Sequence, residues 1–543
     1  MRYPKGMVTL EPQPNGRQVR RWIVAQGRNE MKRQTNNGLA VAIRSIGKFV
    51  TAALLTLGIS IGSGAQAEST LYAAHPWTPD TLDPALMKLG GSEYNFAYLV
   101  YNSLTSFNND LTVRPDLAES WEANEDLTVW TFHLRTGVKF HHGREMDAED
   151  VIASYERIIA PDSGSVLAAD LGMIETMEAV DSHTLRITLK QPYAAFPAIV
   201  AANQAKILPR DRLETIATEP VGTGPFRFIE YLPGDRIVMA RNEQYFEEGM
   251  PKLDQVIFTI IPEYASAVAA LEAGSVHIVW QIPPEESERL KASSTAHADV
   301  IPSGSWYAIA LNAGMPPFDN VELRKAFMGL FDKPAFTDLA TFGYGTPTHT
   351  ALPPYHPFYD SDLPMAAADP AAAAEAIAAV GLAEPLELTY WYPKDTAYLE
   401  RLGVALRDVA QQAGITINLS PAPDDKFYAE IEGQQPLYGT SFSGRTTPDT
   451  MLYAWYHSSG SWNKNLWKYS NAEVDEILDK ARQSTSEEEQ NALYRRFQEI
   501  IVEDGPGAAI FVANHANGVH NSVVGFEPSP LLWLDLRGVT LSE

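Results

Sequence analysis

The stretch LELTYWYPKDTAYLERLGVALRDVAQQAGITINLS, residues 386–420, decides the fold class. Leu386, Leu388 and Tyr390 alternate with polar neighbours, as in a half-buried strand. Leu399, Leu402, Leu406, Val409 and Ala413 then recur at three- and four-residue spacing, the apolar face of a helix, and Gly414 stops it. Ile415, Ile417 and Leu419 resume the alternation. Strand, helix and strand with short joints make a βαβ unit, which requires the two strands to be parallel. The chain is therefore α/β at least here.

Outward from this unit the same signals recur. Trp130, Phe132 and Leu134 alternate, and so do Leu185, Ile187 and Leu189. Val256 to Ile261 is a run dominated by β-branched residues and ended by Pro262, which predicts a strand covered on both faces. Asp369, Pro370 and Gly381 mark the cap, first turn and stop of an Ala-rich helix. Ser470 with Glu473, and Ser486 with Glu489, have capping-box spacing ahead of apolar helical faces. No internal repeat is visible.

Composition sets limits on function. At 543 residues, with 45% hydrophobic and 20% charged side chains, the chain is globular and too long for one core. Its 42 Lys and Arg against 68 Asp and Glu give a net charge of −26, which argues against a nucleic-acid surface. There is no cysteine. That excludes disulfides, thiol catalysis, Cys-ligated metal and a lipid anchor on an N-terminal Cys.

The first 67 residues read as targeting sequence. Met31-Lys32-Arg33 opens a basic region continuing to Arg44 and Lys48, Phe49 to Ile61 is free of charge, and Ala65-Gln66-Ala67 closes it. Those are the three parts of a secretory signal peptide over residues 31–67, with residues 1–30 an upstream over-annotation. Cleavage after Ala67 removes ten basic and two acidic side chains, leaving 32 against 66 and a net charge of −34. An exported chain this acidic stays soluble and monomeric by self-repulsion.

Enzymatic constellations are poor. The chain has no G-x-S-x-G elbow, no H-E-x-x-H and no Walker loop. Gly222-Thr223-Gly224 is followed by Pro225, so it reads as a tight turn and not a dinucleotide loop. His141-His142, near Glu145 and Asp147, reads as a polar turn before a metal site. No cofactor is implied.

The order of motifs resembles a known family, the extracytoplasmic solute-binding proteins of ABC importers, in the dipeptide, oligopeptide and nickel-binding branch. Thr81-Leu82-Asp83-Pro84 follows the first strand, and Pro115-Asp116-Leu117-Ala118-Glu119-Ser120-Trp121 resembles the family signature. Phe132 to Phe140, Asp147 to Val151, Gly222 to Phe226, Asn242 to Phe246 and Phe318 to Ala326 continue in family order. The resemblance covers residues 70–540 and implies a two-lobed periplasmic binding protein fold of type II with an extra subdomain on the first lobe. By analogy the first lobe takes residues 68–95, 205–300 and 509–543, the subdomain 96–204 and the second lobe 301–508.

The resemblance also implies a function: a periplasmic component that captures a small ligand and hands it to ABC permease subunits, with no reaction of its own. Aromatics near the ends of strands are the candidate ligand contacts: Trp306, Tyr307, Trp391, Tyr392 and Trp280, joined by Tyr94 and Asn95. In peptide-binding relatives the loop matching Ser441 to Asp449 carries an aspartate for the ligand ammonium. Here the matching position is Arg445, whose planar fork suits a carboxylate. That points to a peptide or peptide-like ligand with an anionic group. Asp449 is the other acid of that loop, placed either to replace the missing aspartate or to open the following helix. Two other readings stay open: a metal-chelate binder of the nickel type, and an exported hydrolase.

Overall fold

The computed structural model describes residues 69–87, 92–365, 367–381, 386–394, 396–442, 444 and 447–542. In chain order the strands are β1 Thr70–His75, β2 Thr105–Phe107, β3 Val113–Pro115, β4 Ala118–Ala123, β5 Val129–Leu134, β6 Ile174–Asp181, β7 Thr184–Leu189, β8 Phe226–Leu232 and β9 Arg236–Arg241. They continue with β10 Gln255–Ile260, β11 Ile278–Ile282, β12 Ala296–Leu311, β13 Gly345–Pro347, β14 Glu387–Pro393, β15 Thr416–Ala422, β16 Leu437–Phe442 and β17 Gly507–His520. The helices used below are α1 Ser92–Val100, α2 Ala148–Ile159, α3 Pro284–Leu290, α4 Lys333–Thr341, α5 Pro370–Ala379, α6 Ala397–Gln412, α7 Pro448–Tyr456, α8 Ala472–Gln483 and α9 Glu487–Asp504.

One large sheet has the order β15-β14-β16-β12-β17-β11-β1-β10-β9-β8, with β13 also on β17. The expected βαβ unit is β14-α6-β15, and its strands pair in parallel from Glu387 opposite Thr416 to Pro393 opposite Ala422. β1 is parallel to both β10 and β11. The long strands β12 and β17 are antiparallel and run through both parts of the sheet. Residues 296–302 and 514–520 lie on the side of β11 and β1, and residues 306–311 and 507–512 lie on the side of β16 and β14.

A separate antiparallel sheet, β4-β5-β7-β6, is covered by α2. Its core gathers Phe132, Leu134, Tyr155, Leu185 and Ile187, the inward positions of the two alternating patterns. β1, β10 and β11 share a core with α1, built on Leu71, Phe96, Val256, Phe258 and Trp280. The other part of the large sheet has two cores. One holds Leu399, Leu402 and Leu406 of α6 with Tyr390 and Phe327. The other holds Trp306, Trp455, Trp467 and Tyr456.

Local signals are realised with small shifts. Asp369 Oδ1 accepts from Ala372 N at the start of α5, and Ser486 Oγ accepts from Glu489 N at the start of α9. The cap of α8 is Asn471, not Ser470: its Oδ1 accepts from the N–H groups of Glu473 and Val474. Asn is as good a cap as Ser and sits one residue nearer the apolar face. In β10, Val256 and Phe258 are buried but Ile257 and Ile260 only half-buried, so one face is covered where two were expected. β10 continues into the antiparallel β9 and β8, and antiparallel sheet tolerates one solvated face. Gly222 and Gly224 serve close approach instead of a turn. Gly224 N donates to Val100 O at 3.0 Å, and a Cβ on Gly222 would lie 2.1 Å from that oxygen.

The boundary expected between residues 95 and 96 falls inside α1. Phe96, Ala97, Leu99 and Val100 pack with β1 and β10, so the helix stays with the part of the chain that precedes it. The signal segment, residues 31–67, lies outside the described residues.

Candidate ligand-binding site

Strand polarity locates the site. β1 and β11 run parallel and end at His75 and Ile282, and Ile282 is opposite Ala516. β14, β15 and β16 run parallel and end at Pro393, Ala422 and Phe442, and Phe442 is opposite Trp306, itself opposite Val512. Two sets of carboxyl ends therefore approach the same middle segments, residues 302–306 of β12 and 512–516 of β17. The register between those strands breaks between Pro302 and Trp306. Ligands of open parallel sheets bind beyond the carboxyl ends of strands, and here two such edges face one segment.

The segment is tightly built. Gly304 and Gly444 touch backbone to backbone: a Cβ on Gly304 would meet Gly444 Cα at 2.9 Å, and one on Gly444 would meet Gly304 Cα at 2.4 Å. Tyr355 Oη is 3.4 Å from the same Gly304 position. Gly444 thus lies directly against β12. Phe442 lies 5.3 Å from Trp306 and 3.9 Å from Trp455, ring centre to ring centre. Trp462 stacks on Trp455 at 5.2 Å and is 39% exposed, so an aromatic wall runs from the core to the surface. Across the segment Trp77, 52% exposed, meets Trp280 edge-on, and Trp280 stacks on His75. Neither ring nitrogen of His75 has a partner, and burial pulls its pKa down to about 3, leaving a neutral imidazole. Burial lowers His515, on the middle segment of β17, to about 4.

The expected contact residues separate by environment. Trp391 is half-buried against the Trp306 core. Tyr307 is half-buried and stacks on Phe511, with Tyr398 edge-on at 5.1 Å. Tyr94 is half-buried, and Gln204 Nε2 donates to its hydroxyl. The other described candidates are packed inside. Trp306 is 1% exposed within its aromatic cluster. Trp280 Nε1 donates to Leu532 O, and Tyr392 takes the opposite sheet face from Trp391, in the α6 core. Asn95 Oδ1 accepts from Leu534 N. Asp449 opens α7 and accepts from Arg482 Nε and Nη2 and from the Tyr193 hydroxyl. Arg445 lies outside the described residues. Sequence reasoning passed over Trp77, Phe442, Trp462 and Tyr355. Trp77 follows β1 by two residues, so the carboxyl-end rule applied to β1 would have found it.

A cavity of about 380 Å³ lies beside the loop after β16. Trp121 and Trp130 of the small sheet line it, with Pro197 from a short helix and with Phe358, Thr447 and Arg482. That volume lies within the range of small-molecule pockets, about 300–1,000 Å³. His141 and His142 do not take part. His141 bonds to the backbone of Gly222 and Gly224, and His142 to Asp211. Among the described residues no group of three or more His, Asp or Glu is arranged to hold a metal ion.

The model of bacterial extracellular solute-binding proteins, family 5, matches residues 112–463. The di/tripeptide-binding protein 1 of Pseudomonas aeruginosa is 29% identical over 499 residues, covering 85% of this chain and 92% of its own. The glutathione-binding protein GsiB of Salmonella paratyphi A is 27% identical over 439 residues, covering 78% and 86%. The solved structure of HbpA2 from Haemophilus parasuis superposes with a TM-score of 0.81 at 24% identity, over 87% of this chain and 100% of that one. With the family model spanning well over half of its length, the chain belongs to the bacterial extracellular solute-binding proteins of family 5.

Proposed function

We propose that the protein is the periplasmic substrate-binding component of an ABC importer and that its ligand is a peptide or peptide-like compound bearing a carboxylate. The observation that carries this reading is the convergence of two sets of strand carboxyl ends on the middle of β12 and β17, walled by aromatic rings. Relatives named for di/tripeptides and for glutathione support a peptide-like ligand. Arg445 supports the acidic group, since guanidinium and carboxylate match as bidentate partners. Trp391, Tyr307 and Tyr94 contact the ligand, and the buried Trp306, Trp280, Tyr392, Asn95 and Asp449 hold the walls from behind. The cycle is capture, closure, docking on the permease and release. Export removes the signal peptide, residues 31–67, by cleavage after Ala67, and no lipid is attached because the chain has no cysteine.

Native mass spectrometry of the exported protein, purified without unfolding, tests the reading. A retained small adduct that fragments as a carboxylate-bearing peptide-like compound is expected. An adduct without an acidic group, or a protein that carries none and binds no di- or tripeptide or glutathione, contradicts it.

A further inference from the structure

Arg401 stands apart among the arginines of the second part of the chain. Arg324, Arg407, Arg482, Arg495 and Arg496 each have a carboxylate within ion-pair distance. Arg401 has none among the described residues, and its Nε is buried without a hydrogen-bond partner. Arg114, Arg212 and Arg227 also show no ion pair, but among the described residues only Arg401 combines that with a buried guanidinium nitrogen that has no hydrogen-bond partner. What it meets is aromatic. Its guanidinium carbon lies 4.6 Å from the ring centre of Phe342 and 5.4 Å from that of Tyr398. Rings hold a cation in place but do not satisfy its five N–H donors.

Its place in the fold is informative. Arg401 is in the second turn of α6, which follows the carboxyl end of β14. Tyr398, one turn earlier, packs edge-on against Tyr307 of β12 beside the register break. Phe342, 66% exposed, ends α4 in a left-handed conformation three residues before β13, whose first residue is opposite Ala513 on the middle segment of β17. Burial raises the pKa of Tyr398, with Arg401 pulling it down and Glu285, at the start of α3 after β11, pushing it up, yet Glu285 forms no ion pair with Arg401.

We propose that Arg401 is a specificity-determining residue that receives a carboxylate of the ligand, an anion site separate from the loop after β16. This rests on the solute-binding reading and adds where one acidic group is held. The rings fix the guanidinium in advance, so its open N–H groups form a bidentate contact with little loss of side-chain freedom.

The test is calorimetric titration of the mature protein with Ala-Ala-Ala, Ala-Ala-Phe and glutathione, each as the free acid and as the C-terminal amide. In the wild type at least one acid should bind about ten- to a hundredfold more tightly than its amide. Arg401→Gln should close that gap while leaving the amide's affinity unchanged, and Arg401→Lys should restore part of it. Amides that bind as tightly as their acids in the wild type overturn the Arg401 assignment but leave the solute-binding reading standing. A gap that persists in Arg401→Gln does the same. Glu285→Gln should leave the gap intact; if it abolishes the gap, Arg401 acts through Glu285 and the assignment falls. No binding of any probe overturns both.

Discussion

Lys333 is buried with its ammonium donating to two backbone carbonyls, Thr348 O at 3.0 Å and His349 O at 3.1 Å. Burial pulls its pKa down to about 7. The unfolded chain keeps that proton up to about pH 10.4, while the folded chain releases it near 7. Between those values the unfolded state binds more protons, so the lysine's contribution to stability rises with pH. Thermal melting of wild type and Lys333→Met from pH 7 to 9.5 should show the wild type gaining on the variant. Parallel curves would contradict the buried, neutral lysine. Arg445 yields a prediction about affinity. In the proposed function Arg445 holds an acidic group other than the one at Arg401, and a buried arginine–carboxylate pair that loses one member costs about 3–5 kcal/mol, so Arg445→Ala should weaken a ligand bearing both groups by about two to three orders of magnitude. Wild-type affinity in that variant, by calorimetry, would make Arg445 a surface charge. At this scale the sequence shows which residues are aromatic and near strand ends, and little about their partners. Trp391 and Tyr392 look equivalent as neighbours, but strand parity sends one toward the Trp306 core and the other into the α6 core. Asn95 and Asp449 look like free polar groups until Leu534, Arg482 and Tyr193 arrive from distant parts of the chain.

Elements made by short-range physics were legible. The β14-α6-β15 unit, the caps Asp369 and Ser486 and the alternating strands β5 and β7 rest on periodicity and on hydrogen bonds within a few residues. The cap at Asn471 shows the limit, since two adjacent residues were both competent and packing chose between them. The passage of β12 and β17 through both parts of the sheet was not legible from pattern. Their register depends on pairing between residues 197 to 224 positions apart. Nor did pattern reveal the contact between Gly304 and Gly444 that directs the loop after β16. Gly444→Ala should force that loop off β12, because the added Cβ would lie 2.4 Å from Gly304 Cα. Overpacking of this kind costs about 1–3 kcal/mol. Urea unfolding should show a lower midpoint, together with weaker ligand binding. An unchanged midpoint would mean that the two segments part without cost.

For the whole molecule, composition excluded more than it identified. Charge argued against nucleic-acid binding, the missing cysteines excluded thiol chemistry and disulfides, and the order of motifs pointed to the family. The edges of the expected lobes were not legible: the core built on Leu71 and Phe96 also draws on Val256, Trp280 and Leu534, α1 packs as a unit, and β12 and β17 run through both parts of the sheet. In the proposed cycle those two strands serve as the hinge. A ligand that contacts both carboxyl edges favours the state in which they are closest, and only such differential contact shifts the equilibrium. The proposed function requires solute capture by closure about β12 and β17. Small-angle scattering of the mature protein, stripped of ligand by unfolding and refolding and then saturated with the compound it retained on purification, tests this most directly. The radius of gyration should fall on saturation and return when ligand is removed. An unchanged radius at full occupancy would contradict closure about the crossing strands.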